Sequence, residues 1–169
     1  MKNLFLLICF LGSTGFSFAQ SKNIHNFYNK YAAYDNATDI NVQGWVLKLA
    51  SAFSEDEKAQ NTLDKITQLR ILIMEDENLV TYDDRKDLIR SLEKDKFETF
   101  LQVRDGGDKI DFFIREDGDQ ITNILMVVNG KDGFLLLSLE GLLNLEEIKD
   151  LNIDIEGSEY LKKLPKHRA

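Results

Sequence analysis

Apolar residues along the chain change spacing several times, and each change marks an element. Ile24, Phe27, Tyr28 and Tyr31 recur at helical spacing and predict a first helix. Asp35-Asn36 ends it, and Thr38 to Val42 predicts a short strand. Trp45, Val46, Leu49 and Phe53 mark the apolar face of a second helix. Polar Ser54 to Gln60 leads into a weakly helical turn holding Leu63 and Ile66. Leu69 to Met74 is short, apolar and β-branched, the pattern of a buried strand. Thr81 followed three positions later by Asp84 is a variant capping box, and Tyr82, Leu88, Ile89 and Leu92 give the helix it opens an inner face.

Between Phe97 and Glu140 the period drops to two. Asp105-Gly106-Gly107-Asp108, Asp117-Gly118 and Asn129-Gly130-Lys131-Asp132-Gly133 cut this stretch into four strands. Glycine beside aspartate suits tight hairpins, because those turns need a positive φ that a Cβ opposes. The pattern predicts an antiparallel meander. Leu145, Ile148 and Leu151 follow as a short helix, with Ile153 and Ile155 as a possible edge strand. The predicted fold is a single α+β domain with a four- to five-stranded, mainly antiparallel sheet packed by several helices.

Turn chemistry also predicts register. With Arg104 opposite Lys109, Val103 faces Ile110, Leu101 faces Phe112 and Phe100 faces Phe113. Carried onward, this puts Ile114, Ile121, Leu125, Val127, Leu135, Leu137 and Leu139 on the face of Leu101. The opposite face then holds Phe100, Phe113, Ile124, Met126, Val128, Phe134 and Leu136. A sheet wetted on one side should alternate apolar with polar, so both faces need cover. Either Phe27, Tyr28 and Tyr31 of the first helix, or other helices, cover the second face, or a partner or second copy does. In the latter case Phe100, Phe113, Ile124, Met126, Phe134 and Leu136 form a partner-binding face.

The first residues read as an address. Met1-Lys2-Asn3 carries one positive charge, Leu4 to Phe10 is unbroken apolar sequence, and Ser17-Phe18-Ala19 offers a small-x-small exit before Gln20. The apolar stretch is shorter than the ~20 residues of a membrane span. The expected organisation is a signal peptide over 1–19, one domain over 20–161 and a basic tail over 162–169. Cleavage removes Cys9, the chain's single cysteine, so packing without disulfides must hold the exported domain.

Charge narrows the partners. The chain carries −8 overall, and residues 20–161 hold all 29 acidic residues. Such a surface disfavours nucleic acid, whose phosphates need a basic face. After cleavage no transmembrane span is expected.

Candidate chemistry is sparse. Nucleophilic catalysis needs a serine or cysteine beside a base, and the two histidines, His25 and His167, stand near opposite ends. Zinc spacing is absent. Asp105, Asp108, Asp117 and Asp119 offer carboxylates for calcium, but each pair is explained by its hairpin turn. Paired carboxylates such as Glu98 and Asp111, both expected to face solvent, do not single themselves out among so many. Gly106-Gly107 is followed by a strand rather than a helix N-terminus and so does not cradle phosphate. No catalytic, cofactor-binding or metal-binding residue is assigned.

The order of aromatic helix, short strand, tryptophan-bearing helix, Leu-Arg-Ile-Leu strand and meander resembles a Gram-negative envelope family catalogued as domain of unknown function 4252. The ending is especially similar: Phe134-Leu135-Leu136-Leu137-Ser138-Leu139-Glu140-Gly141, then Leu145-Glu146-Glu147-Ile148-Lys149-Asp150-Leu151. The resemblance implies an exported protein, periplasmic or outer-envelope associated, with no established activity. In that family acidic residues often stand where Asn123, Leu142 and Asn144 stand here, so no acid–base or metal role carries over to them. The expected function is non-catalytic protein binding or assembly, with another envelope protein or a second copy as partner. A module for a small ligand or lipid is the alternative, and a carboxylate-dependent hydrolase the third reading.

Overall fold

The structure, a computed structural model, describes residues 21–131 and 133–150. The leader expected over 1–19, the strand at Ile153 and Ile155, His167 and the basic tail over 162–169 lie outside these residues. Helix α1 (Lys22–Tyr31) is followed by strand β1 (Ala37–Gln43), helices α2 (Gly44–Ser51) and α3 (Glu57–Lys65), and strand β2 (Ile66–Met74). Helix α4 (Tyr82–Lys94) precedes the meander β3 (Glu98–Asp105), β4 (Asp108–Asp117), β5 (Gln120–Asn129) and β6 (Phe134–Leu143), and α5 (Leu145–Asp150) follows.

The chain is a single α+β domain built on one antiparallel sheet in the order β1-β2-β6-β5-β4-β3. The sheet has six strands rather than four or five, because β1 pairs along the outer side of β2 from Ala37↔Met74 to Gln43↔Gln68. Gly107 and Gly118 take positive φ in the first two meander turns, as the Asp-Gly signals predict.

Helices α1 and α4 cover one face. Ile24, Phe27, Tyr28 and Tyr31 of α1, with Leu88 and Leu92 of α4, form one core cluster with Leu72, Met74, Phe113, Leu125, Val127, Phe134 and Leu136. Each such side chain contributes roughly 1.5–3 kcal/mol by leaving water. Tyr82, expected on the inner face of α4, is 67% exposed. It stands at the first helical position, directly after the Thr81 cap, whose hydroxyl accepts from the Asp84 amide. The opposite sheet face holds Ile71, Ile110, Phe112, Ile114, Ile124, Met126, Val128, Leu135, Leu137 and Leu139, with Leu47, Leu63 and Leu145 of α2, α3 and the start of α5 packed against them.

Register explains where expectation and structure part. The first hairpin pairs Arg104↔Lys109, Val103↔Ile110 and Leu101↔Phe112 as expected. Then Thr99, not Phe100, stands opposite Phe113, which makes Phe100 the extra residue of a bulge on the edge strand. A second irregularity falls after the Asp117-Gly118 turn. Glu116 pairs with Ile121 but Arg115 pairs with Asn123, so Thr122 is extra, and its hydroxyl donates to the Arg115 carbonyl at 3.1 Å. The inserted residue reverses the later side chains of β5, whereas β6 keeps its expected faces because the next turn pairs Val128 with Leu135. Leu125 and Val127 therefore lie under α1 and α4, while Ile124, Met126 and Val128 face the other way.

Candidate functional site

The residues expected to form one partner-binding face do not share a face. Phe113, Phe134 and Leu136 belong to the core beneath α1 and α4. Ile124 and Met126 are buried on the opposite side, and Phe100 packs half-buried against that same cluster. Phe27 of α1 meets Phe134 with ring centroids 5.7 Å apart, so the helix itself supplies cover.

Tyr28 ties that helix to the sheet. Its hydroxyl lies 2.9 Å from the Arg70 carbonyl, 3.0 Å from the Leu136 carbonyl and 3.1 Å from Ser138 Oγ. The Arg70 guanidinium lies over the Tyr28 ring at 4.3 Å and binds Asp39 through Nε at 3.0 Å and Nη2 at 2.8 Å. Burial pushes the Tyr28 phenol well above its usual range, so it stays protonated as a donor. This network clamps β1 to β2 and to α1. At the far end of α1, Asp84 accepts from Lys30 Nζ at 2.7 Å, Tyr31 Oη at 2.6 Å and Thr81 Oγ1 at 2.6 Å. Those bonds, led by Lys30, hold its carboxyl down at about 2. Both clusters are satisfied and structural.

Glu140 is different. It is 3% exposed, its Oε1 has no hydrogen-bond partner among the described residues, and burial pushes its carboxyl up to about 7 against an opposing pull from Arg115. The Arg115 guanidinium is held by Asn123 Oδ1 at 2.6 and 3.0 Å and lies 5.3 Å from the centre of the Phe97 ring. A raised carboxylate can mark an acid–base site. Among the described residues no histidine, cysteine or second carboxylate is hydrogen-bonded to it. The sequence signal was present: Phe134, Leu136, Ser138 and Glu140 alternate onto one face, ending in a glutamate.

The other candidate groups disperse. His25 is exposed and contacts Asn29 Nδ2 at 2.9 Å. Asp108 and Asp117 stand at opposite ends of β4, about 30 Å apart for a strand of that length. Asp111 is buried rather than solvent-facing, bonded to Gln102 Nε2 at 2.8 Å and Lys109 Nζ at 2.9 Å, while Glu98 is exposed as expected. Among the described residues no group of three or more His, Cys, Asp or Glu side chains is placed to hold a metal ion. None of their helices is long and apolar enough to cross a membrane.

Two surface features remain. A cleft of about 720 Å³ opens where β2, the β3–β4 turn and the β5–β6 turn meet, with Ile73, Val128 and Leu135 lining its floor and Glu75, Asp76, Asp108 and Lys131 among its polar walls. The second is α2. A Cβ on Gly44 would lie 2.7 Å from the Ile66 carbonyl oxygen, so only glycine lets the helix start this close to β2. Gly44, Leu47 and Ser51 therefore turn inward, and Ser51 Oγ donates to Asp64 Oδ1 of α3 at 2.7 Å. The bulky residues that mark this helix in the sequence point out: Trp45 is 70% exposed, Leu49 57% and, in the turn that follows, Phe53 82%.

The model of a family described as "Domain of unknown function (DUF4252)" matches residues 31–151, from the end of α1 to the end of α5. No curated protein and no solved structure matches the chain.

Proposed function

The chain belongs to the DUF4252 family, and on that premise we propose that it is an exported, non-catalytic envelope protein that works by binding protein through α2. The observation that carries this reading is the row Trp45, Leu49 and Phe53, bulky apolar side chains spaced four residues apart and left largely in water. Soluble proteins seldom leave such a row uncovered unless something docks on it, and aromatic residues are the usual anchors of an interface. The two buried carboxylates among the described residues, Glu140 and the ion-paired Asp111, lie on different strands with no shared cleft, which supports binding over hydrolysis.

In native envelope extracts the protein should run as a complex larger than one chain. Trp45→Asp or Leu49→Asp should shift it to monomer size while the melting temperature of the purified protein changes little, since both positions are exposed. A monomer from the start, or complexes unchanged in both variants, overturns the reading.

Export has its own test. Intact-mass analysis of the protein recovered outside the cytoplasm should give a chain beginning at Gln20. Retention of Met1 through Cys9 would sink the compartment assignment.

The cleft at the turn end supports a second reading, a module for a small amphipathic ligand. Its size is in the range of small-molecule sites, and its apolar floor and charged rim suit a molecule with one apolar and one polar end.

A further inference from the structure

The two edges of the sheet are built differently. Edge strand β3 carries the Phe100 bulge, Glu98 and Arg104, features that blunt an edge against pairing. Edge strand β1 has no bulge, and its one charged residue, Asp39, is paired with Arg70 of the neighbouring strand. Its sequence, Ala37-Thr38-Asp39-Ile40-Asn41-Val42-Gln43, has no proline and no lysine, and it runs beside β2 for seven pairs without a shift. Residues 38 to 41 are exposed. Along such a strand, alternate residues direct both N–H and C=O away from the sheet, where they template another strand.

We propose that β1 pairs antiparallel with β1 of a second copy, across a two-fold axis at Ile40, so that two sheets join into one. The inference rests on the reading of α2 as a docking surface and names its occupant. The strand is self-complementary in this register. Ile40 meets Ile40, Thr38 meets Val42, Ala37 meets Gln43, and Asp39 meets Asn41 of the second copy. Asp39, the strand's single charge, is already neutralised by Arg70, so no like charges oppose each other. Asn41 Oδ1 accepts from Gln68 Nε2 at 3.1 Å and Gln43 Nε2 at 3.3 Å, which leaves its amide hydrogens as donors toward that Asp39 carboxylate. Shifting the register to centre on residue 39 would set Asp39 against Asp39, which repulsion disfavours.

The axis also gathers the exposed apolar residues. Thr38, Ile40 and Val42 pair with Ile73, Ile71 and Leu69, which lie on the sheet face where Leu47 of α2 packs. A two-fold perpendicular to the sheet keeps that face on one side in both copies. Ile40, 41% exposed, and the α2 rows of both copies thus stand on one side of the joined sheet. Ile40, Trp45, Val46, Leu49 and Phe53 expose on the order of 500 Å² of apolar side chain per copy. Adding the paired strand edges brings this near the ~800 Å² per partner of a stable interface.

The test uses purified full-length protein carrying Cys9→Ser. Sedimentation should give twice the single-chain mass, and Ile40→Lys should weaken the dimer at least tenfold while leaving the melting temperature within error. Ile40→Cys should form an intermolecular disulfide under mild oxidation. Thr38→Cys should not, because its own copy lies four residues along the junction, about 13 Å away. A protein that stays monomeric, a dimer indifferent to Ile40→Lys, or equal cross-linking at both positions overturns the proposal. A monomeric purified protein whose envelope complex still depends on Trp45 and Leu49 overturns the self-pairing alone and leaves the broader binding role standing.

Discussion

Replacing Phe113 with aspartate is expected to unfold the domain at room temperature, seen as loss of the cooperative thermal transition and of far-ultraviolet ellipticity. Phe113 is 3% exposed and sits opposite Leu125 in the cluster roofed by α1 and α4. Losing a buried phenylalanine costs about 3–5 kcal/mol, and a carboxylate in its place adds the desolvation of an unpaired charge. Together these approach the whole 5–15 kcal/mol stability of a typical domain. Phe100→Asp should cost only about 1–2 kcal/mol, because Phe100 is half-buried at a bulge where the strand can relax. A folded Phe113→Asp with unchanged melting would mean that the face under α1 is an interface after all.

Glu140→Gln is expected to stabilise the protein at pH 8 by about 3 kcal/mol, read from urea unfolding. The unfolded carboxyl titrates near 4.5 and the folded one at about 7. Each unit of difference is worth ~1.4 kcal/mol. Because the folded value is the higher one, the native state binds the proton more tightly. Its favourable contribution is complete below about 4.5 and is lost as pH rises through 7. Glutamine keeps the shape and has no charge to bury, so the gap between variant and parent should close on acidification and vanish below about 4.5. Asp84 acts in a separate window: its depressed value stabilises the fold above its ordinary range and loses that effect as pH falls toward 2. A variant no more stable than the parent at pH 8 would show that Glu140 is solvated in solution.

Much of this architecture was legible because local chemistry controls it. Turn glycines placed the hairpins, the Thr81 cap placed α4, and the spacing of Ile24, Phe27, Tyr28 and Tyr31 placed α1 with the correct side inward. The failures share one cause: a position was judged by its own residue when a neighbour decided it. No glycine or proline announces the extra Thr122, yet it moves Ile124 and Met126 to the other face. In α2, Trp45 and Leu49 marked the helix but not its buried side, which the close approach of Gly44 to β2 decides. That the residues expected on one partner-binding face divide between both faces was illegible for the first reason. The α2 row was hidden by the second, although a helix with apolar residues on more than one side was itself a signal.

The order β1-β2-β6-β5-β4-β3 also fixes a sequence in time. Strands β3 to β6 close through short turns and can nucleate locally. Strand β2 has β1 beside it, but its other edge pairs with β6, Leu72 meeting Leu136, 64 positions further along the chain. Helix α1 likewise finds one of its two anchoring carbonyls, that of Leu136, only once β6 is in place. A chain emerging from its N-terminus therefore makes its first two strands and first helix long before it makes what they pack on. Their final packing waits for the last strand of the sheet.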